Sequence, residues 1–118
     1  MKPVYQSRFG QNGNCLAACF ASMLECPLEA VDFSCGDHAE DAWAAVANEK
    51  LRPFGVYFLD VRADLAHIPT DAFLIGNGMS GRGRMHSVIY QNGRHIHDPH
   101  PDGGGIVKLD FITLLVRL

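Results

Sequence analysis

The hydrophobic pattern of this sequence changes once, close to Pro53 and Gly55. Before that point apolar residues recur every three to four positions, which is the period of an α-helix. After it, short runs of β-branched and aliphatic residues are separated by turn residues, which is typical of strands. Helices followed by consecutive strands favour an α+β fold with an antiparallel sheet. A chain of 118 residues has the size of one domain, so we expect residues 1–118 to form a single unit.

Two helices are predicted in the first half of the chain. The first begins after Asn14, whose side chain is of a type favoured at helix N-caps, and it ends before Pro27. Its apolar stripe is Leu16, Phe20, Met23 and Leu24. A further helical turn is expected over residues 27–31, and a second helix over residues 37–51 with Asp37 in its first turn. The second helix is predicted to bury Ala42, Trp43, Val46 and Ala47.

Five strands are predicted in the second half, and the turn between the third and fourth is the most informative. The strands cover residues 56–61, 72–75, 85–91, 94–98 and 107–117. Asn92 and Gly93 favour a tight hairpin. A two-residue loop would place residue 87 opposite Asp98, whereas a three-residue loop over residues 91–93 would place His86 opposite Asp98. Because strand side chains alternate between faces, these two loops put Asp98 on different faces.

We choose the three-residue loop because it brings His86 and Asp98 onto one face of the sheet. This choice predicts a positive φ at Gly93, which glycine tolerates well. It also predicts that Val88 and Ile96 pair on the same face, packed against the first helix. His95 and His97 should then point away from that helix.

Cys15 occupies a position where a thiol can act as a nucleophile. It is expected in the first turn of the first helix, where free N–H groups and the helix dipole stabilise a thiolate. We therefore predict a lowered pKa for Cys15. A nucleophile also needs a base, and the base needs a group that fixes its orientation. His86 at the start of a strand and Asp98 at the end of the next supply both groups.

The segments around these residues resemble the papain-like cysteine peptidases that cut double-glycine leaders, and small phage and bacterial proteins of the same fold. The resemblance rests on Gln6, on the run 13–24 around Cys15, and on the two motifs that begin at His86 and His97. It implies a papain-like fold in which the nucleophile helix packs on a small antiparallel sheet. By position, Cys15 matches the nucleophile, His86 the base and Asp98 the orienting residue.

The resemblance also implies an oxyanion hole formed by an upstream glutamine and the backbone N–H of the cysteine. Such donors stabilise the charge that develops on the substrate oxygen. Gln6 and Gln11 both lie upstream of Cys15, and the usual spacing of six residues falls on Phe9 instead. We prefer Gln6 because it follows a short Pro-Val-Tyr segment as in the relatives, and Gln11 stays open. Leu16 stands where many relatives have glycine, which would narrow the site.

The function implied is a cysteine hydrolase that cleaves an amide, isopeptide or related acyl bond of a peptide or protein through a thioacyl-enzyme. No cofactor or metal is required, and transfer to an amine in place of water stays open. The alternative is a papain-like module with an unused triad that binds a peptide or a host protein. A metal site at His95, His97 and His100 is disfavoured, because His95 and His97 would face away from Asp98.

Composition narrows the partners and the compartment. The net charge of −3 argues against nucleic acid, since nucleic-acid-binding domains are usually basic. No apolar run approaches the roughly 20 residues of a membrane span. The N-terminus lacks the apolar segment of a signal peptide, so we expect a cytoplasmic protein. In that compartment its 4 cysteines should be free thiols.

The thiol prediction can be checked directly. Titration of freshly purified, unreduced protein in denaturant should detect all 4 cysteines as thiols. Finding none would indicate two disulfides and an oxidising compartment.

Overall fold

The computed structural model describes residues 1–63 and 71–118. Within them the chain forms two α-helices and one antiparallel sheet, which confirms the predicted α+β class. The helices are α1 (Cys15–Leu24) and α2 (Ala42–Leu51). The strands are β1 (Val56–Arg62), β2 (Phe73–Ser80), β3 (Met85–Gln91), β4 (Arg94–His97) and β5 (Ile106–Arg117). Their order in the sheet is β1-β5-β2-β3-β4. Neither helix is long or apolar enough to cross a membrane.

Helix α1 is the centre of the core, and small residues let it approach the sheet closely. Ala17, Ala18 and Ala21 are fully buried in it, together with Phe20. The helix packs on β3, and Ile89 of that strand belongs to the same apolar cluster. This close packing fixes the first residue of the helix, Cys15, relative to the first residues of β3.

The second helix is shorter than predicted. It begins at Ala42, and residues 35–37 form a separate 3-10 turn. Asp37 does not start the helix, because its carboxylate accepts hydrogen bonds from Arg8 at 2.8 Å and Asn12 at 2.7 Å. These bonds tie the segment that precedes α1 to the segment that precedes α2. Trp43 is half-buried and stacks between two phenylalanine rings, with ring centroids 6.3 Å from Phe33 and 5.4 Å from Phe58.

Strand β2 extends five residues beyond its predicted end because its glycines allow close approach of neighbouring groups. A Cβ atom built on Gly78 would lie 1.9 Å from the backbone oxygen of Lys108 in β5. A Cβ atom built on Gly76 would lie 2.5 Å from the ring of Tyr90. Glycine lowers the strand propensity of this segment, and the same absence of a side chain makes the pairing possible.

The hairpin between β3 and β4 differs from the three-residue loop that we predicted. Gln91 pairs with Arg94, so the loop has two residues. Asn92 and Gly93 both have positive φ, 55° and 71°, which is the type I′ geometry. Further along, Ile89 pairs with His97 where unbroken pairing would have reached Ile96, so β4 contains a one-residue bulge.

The bulge reverses the alternation of side chains, and it brings Asp98 to His86 despite the different loop. The predicted pairing of Val88 with Ile96 is wrong, since Ile96 lies in the bulge and is 42% exposed. The prediction for His97 is wrong as well. Its side chain is buried, and its Nε2 hydrogen-bonds to the backbone oxygen of Val4 at 2.8 Å. His95 is exposed.

Substitution of Gly93 tests this turn. We expect Gly93→Ala to lower the free energy of unfolding by about 1 kcal/mol, because a Cβ atom disfavours positive φ. A Cβ atom at this position meets nothing within 4 Å, so the backbone conformation is the only source of the cost. Denaturant unfolding measures it, with Gly104→Ala as the control, because Gly104 is exposed and lacks a positive φ. Equal stability of the two variants would contradict the turn geometry.

Candidate active site

A cavity of about 400 Å³ opens at the start of α1. Its walls come from the segment before α1, the first turn of α1, the 3-10 turn at residues 35–37 and the first residues of β3. Cys15, His86, Gln6 and Gln11 all line it. Four residues that the sequence singled out as catalytic candidates therefore share one cavity, and Asp98 lies against one of them.

Asn14 anchors the cavity wall in place of capping the helix. Its Oδ1 accepts hydrogen bonds from the backbone N–H groups of Ser7 and Arg8, each at 3.0 Å. Its Nδ2 donates to the hydroxyl of Ser7 and to the carboxylate of Asp32, again at 3.0 Å. Asn14 therefore makes no side-chain bond to the first turn of α1, contrary to its predicted cap role. The N–H groups beside Cys15 stay available to a thiolate or to a substrate oxygen.

Burial governs the protonation of Cys15. Desolvation raises the pKa of the thiol above its ordinary value. The backbone and side chain of Ser87 and the N–H groups of Leu16 and Cys15 act in the opposite direction on this pKa but do not outweigh burial. The lowered pKa that we expected from the helix start is therefore wrong for the resting site. Cys15 is a neutral thiol at pH 7.

His86 and Asp98 form a buried pair. The Nε2 atom of His86 lies 2.6 Å from Oδ1 of Asp98, and both side chains are buried. A carboxylate can only accept, so Nε2 must carry the proton of a neutral imidazole. The other ring nitrogen, Nδ1, is then an acceptor, and it has no hydrogen-bond partner among the described residues. This is the tautomer that a general base requires.

The charges of the pair follow from burial and hydrogen bonds. Burial lowers the pKa of His86 more than the neighbouring carboxylate raises it, so the imidazole is neutral at pH 7. Burial raises the pKa of Asp98, but hydrogen bonds from His86 and from the backbone N–H groups of His100 and Gly105 outweigh it and hold the pKa below its ordinary value. Asp98 is therefore ionised beside a neutral base.

Gln6 is the buried member of the two oxyanion candidates. It is 8% exposed, and its backbone N–H bonds to the oxygen of Pro99 at 3.0 Å. Its Nε2 donates to the backbone oxygen of Arg8 at 2.9 Å, which leaves one N–H hydrogen of the amide unused. Its Oε1 is buried without a partner. Gln11 lies in the 3-10 turn Gly10–Asn12 and is exposed. Both glutamines line the cavity.

A chain of polar side chains forms the part of the site that sequence reasoning missed. Ser87 donates to Asn77 at 2.6 Å, Asn77 donates to Thr113 at 2.9 Å, and Thr113 donates to Asp60 at 2.5 Å. The first three residues are buried and line the cavity. The sequence signal that could have revealed this chain is the presence of polar residues inside otherwise apolar strands. Asn77 was outside the predicted strand, so the pattern was not visible.

Cys15 and His86 both line the cavity, but no hydrogen bond joins them among the described residues. The polar neighbour that lowers the pKa of Cys15 most is Ser87, which follows His86 in β3. His100 also lines the cavity, with its ring centroid 6.2 Å from that of His86. The resting arrangement therefore holds a neutral thiol and a neutral base in one cavity, without a preformed ion pair.

No group of three or more His, Cys, Asp or Glu side chains in the described ranges could hold a metal ion. The three histidines of the metal hypothesis make different contacts and do not face a common site. His97 bonds to Val4, His100 contacts Asp102 at 3.1 Å, and His95 is exposed.

Comparison with known proteins gave no match among family models, curated proteins or solved structures. The geometry of the described residues therefore carries the functional argument.

The reactivity of Cys15 should depend on pH in the way that burial dictates. We expect the rate of Cys15 alkylation by iodoacetamide to rise with a midpoint above about 8.5, the ordinary thiol pKa. Mass spectrometry of the labelled peptide separates Cys15 from Cys19, which is fully buried and should label last. A midpoint near pH 7 or lower would show instead that a thiolate already exists in the resting site.

Proposed function

We propose that this chain is a papain-like cysteine hydrolase that cleaves an amide or related acyl bond of a peptide or protein. The observation that carries the proposal is the buried hydrogen bond of 2.6 Å between His86 and Asp98, at a cavity that also contains Cys15 in the first turn of a helix. A histidine held by a carboxylate beside a thiol is the arrangement that nucleophilic catalysis needs.

The first step is proton transfer. Nδ1 of His86 is the free acceptor, so it would take the proton of the Cys15 thiol as sulfur attacks the substrate carbonyl. Because both groups are neutral at rest, the thiolate forms during the attack. Asp98 stabilises the resulting imidazolium through its hydrogen bond to Nε2.

The tetrahedral intermediate carries a negative oxygen that needs donors. The backbone N–H of Cys15 and the unused N–H of Gln6 are the candidates, and the positive end of α1 adds to them. The imidazolium of His86 then protonates the leaving amine, and a thioacyl-enzyme forms on Cys15. Water attacks this thioester with His86 as base, which returns the free thiol and releases the carboxylic acid.

A cytoplasmic location suits this chemistry. Cys15 has to be a free thiol to react, and the reducing cytosol keeps thiols in that state. All four cysteines are free thiols in the structure. The proposed steps use only side chains and backbone groups of the chain, so they need no cofactor.

The second candidate is a binding module whose triad is not used. One observation favours it, namely that no hydrogen bond joins the Cys15 thiol to His86 among the described residues. A hydrolase would have to bring the thiol and Nδ1 together when substrate binds. Catalytic hydrogen bonds often tighten only in the substrate complex, so we keep the hydrolase as the main proposal.

Substitutions at three residues separate the two candidates. With a fluorogenic substrate found from a peptide library, Cys15→Ala should abolish turnover. His86→Gln and Asp98→Asn should lower kcat/KM by on the order of 10²–10⁴. His95→Gln is the matched control, because His95 is exposed and does not line the cavity. Turnover that persists in Cys15→Ala would contradict the proposal.

Asp98→Asn needs a stability measurement alongside. Oδ2 of Asp98 accepts the backbone N–H of Gly105 at 2.8 Å, and an amide nitrogen placed there could not accept it. We expect a loss of about 1–3 kcal/mol in the free energy of unfolding, from the unpaired donor. Kinetics should therefore be recorded well below the melting temperature of the variant, so that lost activity reports the base and not unfolding.

A further inference from the structure

Part of the lining of the cavity at Cys15 is apolar, and we refer to this part as the apolar chamber. Leu16, Phe33, Trp43 and Phe111 line this part of it. Trp43 is held parallel to Phe33, with an angle of 2° between the rings, so this wall is preorganised. A chamber of this kind takes a bulky apolar group, because burying such a group is favourable and the wall needs no rearrangement.

The charged side chains that line the same cavity are all positive. Arg82 and Arg84 line it, and no Asp or Glu does so in the described part of the chain. Arg82 already pairs with Asp102 at 2.7 Å. Arg84 is exposed and has no side-chain partner among the described residues. The chain as a whole has a net charge of −3, so two arginines in the lining, with only Arg82 matched by a carboxylate, are a local feature.

The position of Arg84 is fixed by its backbone. Its carbonyl oxygen accepts hydrogen bonds from both the N–H and the hydroxyl of Ser80, each at 2.9 Å. Next to it in β3, Met85 lines the cavity and is 50% exposed. Phe9, from the segment before α1, has the same exposure and also lines the cavity. A ligand that enters the cavity therefore meets exposed apolar side chains and an unpaired guanidinium together.

We propose that the substrate is an acidic peptide in which a bulky apolar residue adjoins a carboxylate. The apolar side chain occupies the chamber at Trp43, and the carboxylate pairs with Arg84. The inference rests on the proposed function for placing the scissile bond at Cys15. Its recognition chemistry is independent of turnover and can be measured without it.

Binding to the Cys15→Ala variant tests the inference. Trp43 is the only tryptophan in the sequence and lines the chamber, so its fluorescence reports occupancy. The probes are blocked peptides that place phenylalanine beside glutamate, in both orders. Matched peptides replace the glutamate with glutamine or lysine, or the phenylalanine with glycine.

We expect the phenylalanine–glutamate peptide to bind about fivefold more tightly than its glutamine counterpart, the size of one exposed ion pair. The difference should vanish in Arg84→Gln and shrink in high salt. It should persist in Arg94→Gln, because Arg94 is exposed on β4 and does not line the cavity. Equal affinity for glutamate and glutamine, tighter binding of lysine, or undiminished binding of the glycine peptide would each overturn the inference.

The wild-type protein separates this result from the proposed function. Acid-selective binding without cleavage would leave the recognition inference standing and count against the hydrolase. Cleavage of peptides with no preference for an acidic residue would support the hydrolase and overturn the recognition inference.

Discussion

The proposed site depends on one buried carboxylate, that of Asp98. Its Oδ1 accepts hydrogen bonds from Nε2 of His86 at 2.6 Å and from the backbone of His100 at 2.8 Å, while Oδ2 accepts the backbone N–H of Gly105 at 2.8 Å. A buried charge is tolerated only when it is paired and hydrogen-bonded. These three bonds satisfy Asp98, fix the tautomer of His86 and hold the segment between β4 and β5 against the start of β3.

Burial has a second consequence for the chemistry of the site. It raises the pKa of Cys15 and lowers that of His86, so both shifts favour the neutral forms. The enzyme we propose would therefore keep an unreactive thiol until a substrate arrives. Ser87 and the first-turn N–H groups of α1 act in the opposite direction, toward the thiolate. Which effect dominates in the substrate complex depends on how much water the bound peptide displaces.

Much of the fold follows from local sequence signals. Apolar spacing predicts the first helix between Asn14 and Pro27, and the structure places it over Cys15–Leu24. Pro53 and Gly55 predict the end of α2, which lies at Leu51. The predicted strand over residues 72–75 ends before Gly76 and Gly78, which lower strand propensity, and only the structure shows their close approach to Tyr90 and Lys108. Asp37 resembles a helix start, but its carboxylate pairs with Arg8 at a sequence distance that no local pattern contains.

The contact between His86 and Asp98 was predicted, but from a loop geometry that differs from the one in the structure. We expected a three-residue loop to align them, whereas a two-residue turn followed by the bulge at Ile96 does so. Bulges depend on twist and on packing with other segments, here including the bond of His97 to Val4. The polar chain from Ser87 to Asp60 spans four strands, so it becomes visible only once the register is known.

Trapping the covalent intermediate tests the central claim most directly. The wild-type protein would be mixed with an activated ester of a short acyl peptide, quenched in acid within seconds and analysed by intact and peptide mass spectrometry. We predict an added mass equal to the acyl group, located on the peptide that contains Cys15, and its absence in Cys15→Ala. An unmodified Cys15, or equal acylation of Cys26 and Cys35, would contradict the account.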